Sequence, residues 1–170
     1  MKLVKIILAA ALSAGCVAAQ HMQSVVQPSP AFDKLKTLAG EWEGSALEGG
    51  KRIPARTIFR LVSDGSALMN RLGPDTPHEM ITMFHMDGPE LLATHYCSAH
   101  NQPRFHAVST SDPNVVLFQF KDATNVAGPQ VGRMDHVKFT LLDADHHIEE
   151  WSFLQNGKLD TGRFVFHRKK

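Results

Sequence analysis

Alternation of apolar and polar residues is the feature that most constrains what this chain can fold into. From Gly40 onward the hydrophobic period is two, and short segments with this period recur about every 8 to 12 residues. In the segment 53–62, for example, apolar residues alternate with Arg56 and Arg60, as in a strand with one buried face. Because no helical period separates the segments, the pattern predicts antiparallel strands joined by short turns rather than a parallel sheet.

Turn sequences divide the alternating region into about ten strands. Asp87-Gly88 and Asn156-Gly157 are strong hairpin signals, and the one long connection is 121–133. Ten up-and-down strands favour closure into a barrel, because closure removes exposed edges, and a barrel of eight to ten strands has room for one small ligand. The predicted strands are 41–47, 53–62, 67–72, 78–86, 90–97, 104–109, 114–120, 134–142, 147–154 and 158–167.

One short helix is predicted before the first strand. Phe32 and Leu35 recur at helical spacing, and Gly40 is a suitable stop. Ser29 can cap this helix with Pro30 in its first turn. The sequence therefore predicts an all-β, antiparallel, up-and-down barrel preceded by a short N-terminal helix.

The N-terminal residues have the composition of a targeting segment. Residues 1–19 combine a short basic start, an apolar run and small residues, which is the order of a secretory signal peptide. We therefore expect an exported protein, periplasmic or extracellular, with a flexible lead-in at 20–31 and a barrel domain at 32–170. Ala-Gly before Cys16 also resembles a bacterial lipoprotein signal, in which case a lipid would tether the domain to a membrane. Otherwise Cys16 leaves with the signal, and in both cases Cys97 has no disulfide partner within the domain.

Composition argues against nucleic acid as a partner. The chain has 18 Lys and Arg against 17 Asp and Glu, for a formal net charge of +1. The only basic run is the C-terminal Arg168-Lys169-Lys170. A nucleic-acid-binding domain needs a broader basic surface than this.

The junction between helix and first strand resembles that of a known class of barrels. Gly40-Glu41-Trp42 is similar to the Gly-x-Trp of calycins (lipocalins, fatty-acid-binding proteins and nitrobindins), in which the tryptophan closes the base. The segments 79–88, 94–97 and 101–104 resemble a family of exported lipocalin-like bacterial proteins without an assigned function. Nitrobindins hold haem through a histidine near the end of the chain, and His167 has a similar place here. The resemblance implies a calycin-type barrel and raises haem as one cofactor.

Strand alternation brings two reactive residues together at the end of the fifth predicted strand. His95 and Cys97 share one face, which is expected to point inward, and Tyr96 faces the other way. A Cys-His nucleophile is one interpretation, because a thiolate needs a nearby base. A metal site that includes His100 is a second, although zinc needs three or four such ligands. A buried cysteine and a hydrogen-bonded core histidine are the third.

Three further residues complete the candidate ligand-binding set with His95 and Cys97. Trp42 is included through the resemblance, as the residue that closes the barrel. Arg104 is included because it could reach into the barrel mouth and hold a carboxylate; a surface salt bridge is the other interpretation of this residue. Glu149 is placed on an inner face, where Arg163 or Arg104 could neutralise it.

These patterns favour ligand binding over catalysis. The chain has no nucleophile-elbow, phosphate-loop or zinc-protease motif. The leading hypothesis is an exported barrel that binds a small hydrophobic or amphipathic molecule, apolar or an acidic lipid, with membrane contact only through a lipid on Cys16. The alternatives are an enzyme that uses haem, a metal or a Cys-His pair on the same barrel, and a structural envelope protein with a filled barrel. The sequence assigns no cofactor, metal ligand or oligomeric state.

Overall fold

The structure is a computed structural model that describes residues 29–48 and 50–170. The predicted signal peptide at 1–19, Cys16 and most of the lead-in at 20–31 lie outside the described residues. Within the described ranges no helix has the length and apolar character needed to cross a membrane. One helix, α1 (Pro30–Lys36), precedes ten strands. The strands are β1 (Gly40–Glu48), β2 (Lys51–Val62), β3 (Ala67–Leu72), β4 (Met80–Asp87), β5 (Glu90–Tyr96), β6 (Gln102–Val108), β7 (Val115–Thr124), β8 (Arg133–Leu141), β9 (His146–Gln155) and β10 (Lys158–Arg168).

The ten strands form one closed antiparallel barrel. Each strand pairs with its neighbours in sequence, and β1 pairs with both β2 and β10 to complete the ring. The predicted all-β, up-and-down barrel with a short N-terminal helix is thereby confirmed. Asn156 and Gly157 both have positive φ angles, as a tight two-residue hairpin turn requires.

Most strand boundaries differ from the sequence prediction by one or two residues, and the largest difference is at the end of β7. β7 runs on to Thr124, which shortens the predicted connection 121–133 to residues 125–132. Gln102 and Pro103 belong to β6 rather than to a turn, because they pair with Thr124 and Ala123. Pro103 is tolerated because the pairing of β6 with β5 starts only at Arg104, so its missing N–H removes no hydrogen bond on that side.

Helix α1 closes one end of the barrel, which we call the base. Ser29 caps the helix as predicted, accepting a hydrogen bond from the Phe32 amide. Phe32 and Leu35 are buried in the same apolar cluster as Trp42. The Trp42 indole donates a hydrogen bond to the Leu38 carbonyl at 2.7 Å, which fixes the helix to β1.

Arg168 fastens the base from the last strand. Its guanidinium lies over the Trp42 ring, 4.1 Å from the centroid, and donates to the carbonyl oxygens of Thr37 and Ala39. It also donates to the Ala144 carbonyl in the β8–β9 turn. One side chain therefore ties the helix, the first strand and a turn together. Lysine could not make the same contacts, because it lacks the planar guanidinium with its several N–H donors.

On three adjacent strands, β2, β1 and β10, the inward side chains become smaller from the base to the opposite end, which we call the mouth. The base-to-mouth pairs are Trp42 and Ala46 on β1, Phe59 and Ala55 on β2, and Phe166 and Gly162 on β10. Aromatic rings fill the barrel at the base, and the small residues leave space at the mouth. The same alternating pattern therefore yields a packed half and an open half.

Candidate functional site

The mouth contains a cavity of about 800 Å³ between β1, β2, β10 and the β3–β4 loop (73–79). Its inward-facing walls are apolar, and its charged and polar residues lie at the rim. A cavity of this size and character fits a small organic molecule. The apolar lining includes Ala46, Ile53, Ala55, Leu72, Met80, Gly162 and Phe164, and the rim includes Arg56, Asp75, Thr76, His78 and Asp160.

An ion-pair network fixes the β3–β4 loop that forms one side of the mouth. The Arg71 guanidinium donates to both carboxylate oxygens of Glu79, at 2.5 and 2.8 Å, and also to Asp75. The Asp75 amide donates to Glu79 as well. These bonds, first among them the one from Arg71, lower the pKa of Glu79 to about 2. The carboxylate therefore stays charged, and the loop stays held, throughout the ordinary pH range.

Leu72 and Met80 form the floor of the cavity. Below this floor, toward the base, four polar side chains form a row across the inner face of β2, β3, β4 and β5. We call Thr57, Asn70, Thr82 and His95 the interior polar row; each is at most 1% exposed. Asn70, Thr82 and His95 are direct cross-strand neighbours. The Asn70 amide donates to the Thr57 hydroxyl at 2.6 Å, and the Thr82 hydroxyl lies 2.8 Å from His95 Nδ1.

Two atoms of the interior polar row have no hydrogen-bond partner among the described residues. They are the Asn70 carbonyl oxygen (Oδ1) and His95 Nε2. In the structure the Asn70 amide nitrogen donates to the Thr57 hydroxyl, which itself lies 3.3 Å from the Arg71 carbonyl oxygen, so the amide oxygen is the unpaired atom. Burial lowers the pKa of His95 to about 4, so the imidazole is neutral near pH 7. Unpaired buried polar atoms are costly, and both atoms are therefore available to a further partner.

Glu149 belongs to a second buried network on the opposite wall. Its carboxylate accepts a hydrogen bond from the Trp151 indole at 2.9 Å and lies 3.1 Å from His147 Nε2. The predicted inward position of Glu149 is correct, but Trp151 and His147 are its partners in place of Arg163 or Arg104. The Trp151 ring also packs against His95, with 4.9 Å between ring centroids, so the two interior networks touch.

Arg104 does not reach into the barrel, so its inclusion as a ligand-binding candidate is wrong. Its side chain lies on the outer face, where it makes a two-pronged ion pair with Asp122 at 2.5 and 2.6 Å. The inward positions on this strand belong to Pro103 and Phe105, both of which are buried. The structure therefore supports the alternative interpretation of Arg104 as a surface salt bridge.

Cys97 lies just beyond β5, in the turn that leads to β6, and is partly buried. Its thiol accepts a weak hydrogen bond from the Ala99 amide, while His95 bonds to Thr82. Burial raises the pKa of the Cys97 thiol. A protonated thiol whose neighbouring histidine is bonded elsewhere is not an activated nucleophile.

The other predicted positions fall outside the mouth. Trp42 is buried at the base, as the resemblance implied, and not in the cavity wall. His167 lies on the outer face of β10, 3.4 Å from Glu43, with 53% of its side chain exposed. Among residues 29–48 and 50–170 there is no group of three or more His, Cys, Asp or Glu side chains arranged to hold a metal ion.

A second depression, of about 650 Å³, lies on the outside of the barrel over β7 to β10. Its lining mixes polar and apolar side chains, and the Lys138–Glu150 ion pair crosses it. Ser152 and Thr161 hydrogen bond to each other there at 2.8 Å. Because these groups already satisfy one another, this depression is a weaker candidate for a ligand site than the mouth.

Sequence reasoning missed the interior polar row apart from His95. Asn70 is in phase with the apolar Leu68 and Leu72, and Thr82 is in phase with Met80 and Phe84. A polar residue in the apolar phase of a strand is a signal of an interior hydrogen bond or site. That signal was present, but the cross-strand register that joins these residues is visible only in the structure.

Comparison with known proteins supports the fold and goes no further. No family model matches the chain, and no curated protein matches it. Among solved structures, it is similar to the crystal structure of Rv2717c from M. tuberculosis, with a TM-score of 0.51 and 17% sequence identity. The match covers 85% of this chain and all of that one. At this identity the likeness concerns the barrel architecture alone.

Proposed function

We propose that this protein binds a small hydrophobic or amphipathic molecule in the mouth of the barrel. The observation that carries the proposal is the apolar cavity of about 800 Å³. Ligand sites commonly have volumes of about 300 to 1,000 Å³ and are lined mainly by apolar side chains. Affinity would come from burial of the ligand's apolar surface, and the polar rim would orient it.

The taper of side-chain size supports binding over a structural role for the whole barrel. A barrel that serves only as a rigid body gains stability from filling its interior to native density. Here the base is filled, whereas Ala46, Ala55 and Gly162 keep space at the mouth. The fixed β3–β4 loop supports the proposal as well, since a cavity that is formed in advance costs less to occupy.

The class and location of the protein form part of the same proposal. A calycin-type barrel is supported by Gly40-Glu41-Trp42, with Trp42 at the base under Arg168. Export is supported by the signal-like residues 1–19 of the sequence. Haem, as in nitrobindins, gains no support from the outward, exposed position of His167. An enzyme of the Cys-His type gains none from the hydrogen bonding of Cys97 and His95.

A titration with the neutral fluorescent probe N-phenyl-1-naphthylamine tests the proposal. We expect saturable enhancement of fluorescence with the wild-type protein and much weaker binding with Gly162→Leu. A Cβ atom at Gly162 meets nothing closer than the Phe164 ring at 3.5 Å, so a side chain can be attached at this position without moving the strand backbone. Ala144→Leu adds a similar side chain at an exposed position beyond the base and serves as the control. Equal binding by the wild type and Gly162→Leu would exclude the mouth as the site.

A further inference from the structure

The interior polar row lies one inward layer below the cavity floor. Leu72 and Met80 line the cavity, and Asn70 and Thr82 follow them at two residues' distance on the same strand faces. Two residues along a strand correspond to about 7 Å. The unpartnered Asn70 Oδ1 is therefore close to the apolar cavity but separated from it by two side chains.

Met80 is the movable part of this separation. Its side chain is only partly buried, and its sulfur has a weak hydrogen bond from the exposed Ser98 hydroxyl at 3.7 Å. Methionine changes rotamer at low cost, because its side chain is unbranched. A ligand that enters the mouth could displace the Met80 side chain and bring a polar group to the row.

The chemistry of the row selects the group that it can hold. Asn70 Oδ1 is an acceptor and needs a donor, while neutral His95 presents either a donor or an acceptor at Nε2. A hydroxyl group supplies both functions. A carboxylate supplies no donor, and the buried polar residues among those described include no Lys or Arg to neutralise it. Glu149, buried beside Trp151, adds an acidic side chain to the same interior.

We propose that the ligand of the mouth is an uncharged hydrophobic molecule with a hydroxyl group, which hydrogen bonds to Asn70 Oδ1 or to His95 Nε2 below Met80. This inference rests on the proposed function and narrows it, since it replaces an acidic lipid with a neutral alcohol. Thr57 and Thr82 are positioning residues, because they orient the Asn70 amide and the His95 ring through the hydrogen bonds described above.

Displacement of N-phenyl-1-naphthylamine by three molecules of equal chain length tests the inference. Decan-1-ol, 1-methoxydecane and decanoate differ only in the head group: a hydroxyl, an ether that only accepts, and an anion. We expect the alcohol to displace the probe at about fivefold lower concentration than the other two, the difference that one hydrogen bond of typical strength makes. Equal displacement by the alcohol and the ether would overturn the inference and would indicate that interior water satisfies the row.

Variants show whether the preference depends on the row. Asn70→Leu, of similar size, is expected to lose the preference for the alcohol over the ether, measured as the ratio of the two displacement concentrations in the same variant. Thr82→Val, which removes the hydroxyl that orients His95, provides a second variant and is expected to weaken the preference. Ser152→Ala, a buried polar position on the outer side of the sheet, is the control and should retain it. An unchanged preference in Asn70→Leu would contradict the role of the row.

The two proposals can fail separately. Absence of probe binding, or full binding by Gly162→Leu, would refute the cavity itself. The cavity proposal stands if the wild type binds the probe and Gly162→Leu does not. If decanoate then displaces the probe more strongly than decan-1-ol, only the inference about the hydroxyl group is overturned.

Discussion

The base and the mouth of the barrel are built on the same strands but are packed in opposite ways. At the base, Trp42 is sealed between helix α1 and Arg168. At the mouth, Ala46, Ala55 and Gly162 occupy the equivalent inward positions and leave a cavity. The alternating pattern fixes which residues face inward, whereas their size decides whether the interior is closed or open.

Two glycines illustrate the difference. A Cβ atom on Gly44 would lie 1.9 Å from the Val165 carbonyl oxygen, so the backbones of β1 and β10 approach too closely for any side chain. A Cβ atom on Gly162 would have ordinary contacts only. Gly44 is therefore needed for the close approach of two strands, and Gly162 is needed for empty space. We expect substitutions at the base to change stability and substitutions at the mouth to change binding.

The largest effect is expected at the centre of the base. Trp42→Ala should lower the free energy of unfolding by about 3 to 5 kcal/mol, because it leaves a large cavity and removes the contacts with Leu38 and Arg168. Met80→Ala, at the partly buried cavity floor, should cost about 1 kcal/mol. Urea denaturation of the two variants measures both values. Similar losses in the two variants would mean that the base and the mouth are equally packed.

The pH dependence of stability should report the burial of His95. Its pKa is about 4 in the folded protein and about 6.5 when unfolded, so only the unfolded chain takes up the proton between these values. Stability is therefore lost as the pH falls from 6.5 to 4, by roughly 3 kcal/mol, and this contribution is constant below pH 4.

His95→Gln provides the comparison for this contribution, because glutamine keeps a polar group beside Thr82 but does not titrate. Denaturation of the wild type and the variant at several pH values should show a steeper decline for the wild type between pH 6.5 and 4. Parallel curves would show that His95 is accessible to water and that the interior polar row is not sealed.

The two glycines give a smaller and more local contrast. Gly44→Ala should destabilise the protein by about 1 to 3 kcal/mol or more, because the added carbon forces the strand backbones apart. Gly162→Ala should change stability by less than about 0.5 kcal/mol. Thermal unfolding of both variants measures the contrast. A tolerated Gly44→Ala would mean that β1 and β10 can separate at this position.

The smallest effect is expected on the outer face. Arg104→Ala removes an exposed ion pair with Asp122 and should change neither the denaturation midpoint appreciably nor the affinity for N-phenyl-1-naphthylamine. Probe titration of this variant beside Gly162→Leu makes the comparison. A marked loss of binding in Arg104→Ala would show that this residue contributes to the ligand site after all.

The fold was predictable because alternation and turns are local signals. Asp87-Gly88 and Asn156-Gly157 mark hairpins, and the inward position of His95 follows from its strand phase. The position of Arg104 after a polar turn allows an inward side chain, but the apolar Phe105 and Ala107 take the inward phase of that strand. Its partner Asp122 lies on β7, and the local sequence around Arg104 does not predict a contact with a residue on another strand.

The candidate site was less predictable because it depends on register and on cavity shape. Asn70, Thr82 and His95 come from three strands and meet only through their cross-strand pairing. The cavity depends on which inward residues are small at the same level of the barrel, and this also requires the register. Strand phase alone identified His95 and Glu149 as interior residues but could not identify their partners.

An amide chemical-shift titration with N-phenyl-1-naphthylamine tests the central claim most directly, because it compares the two ends of the barrel in one measurement. We predict that the largest changes occur at mouth residues such as Ala46, Ala55 and Gly162, and that the amides around Trp42 change little. Largest changes at the base, or over the outer depression around Gln119 and Lys138, would contradict the assignment of the mouth as the ligand-binding site.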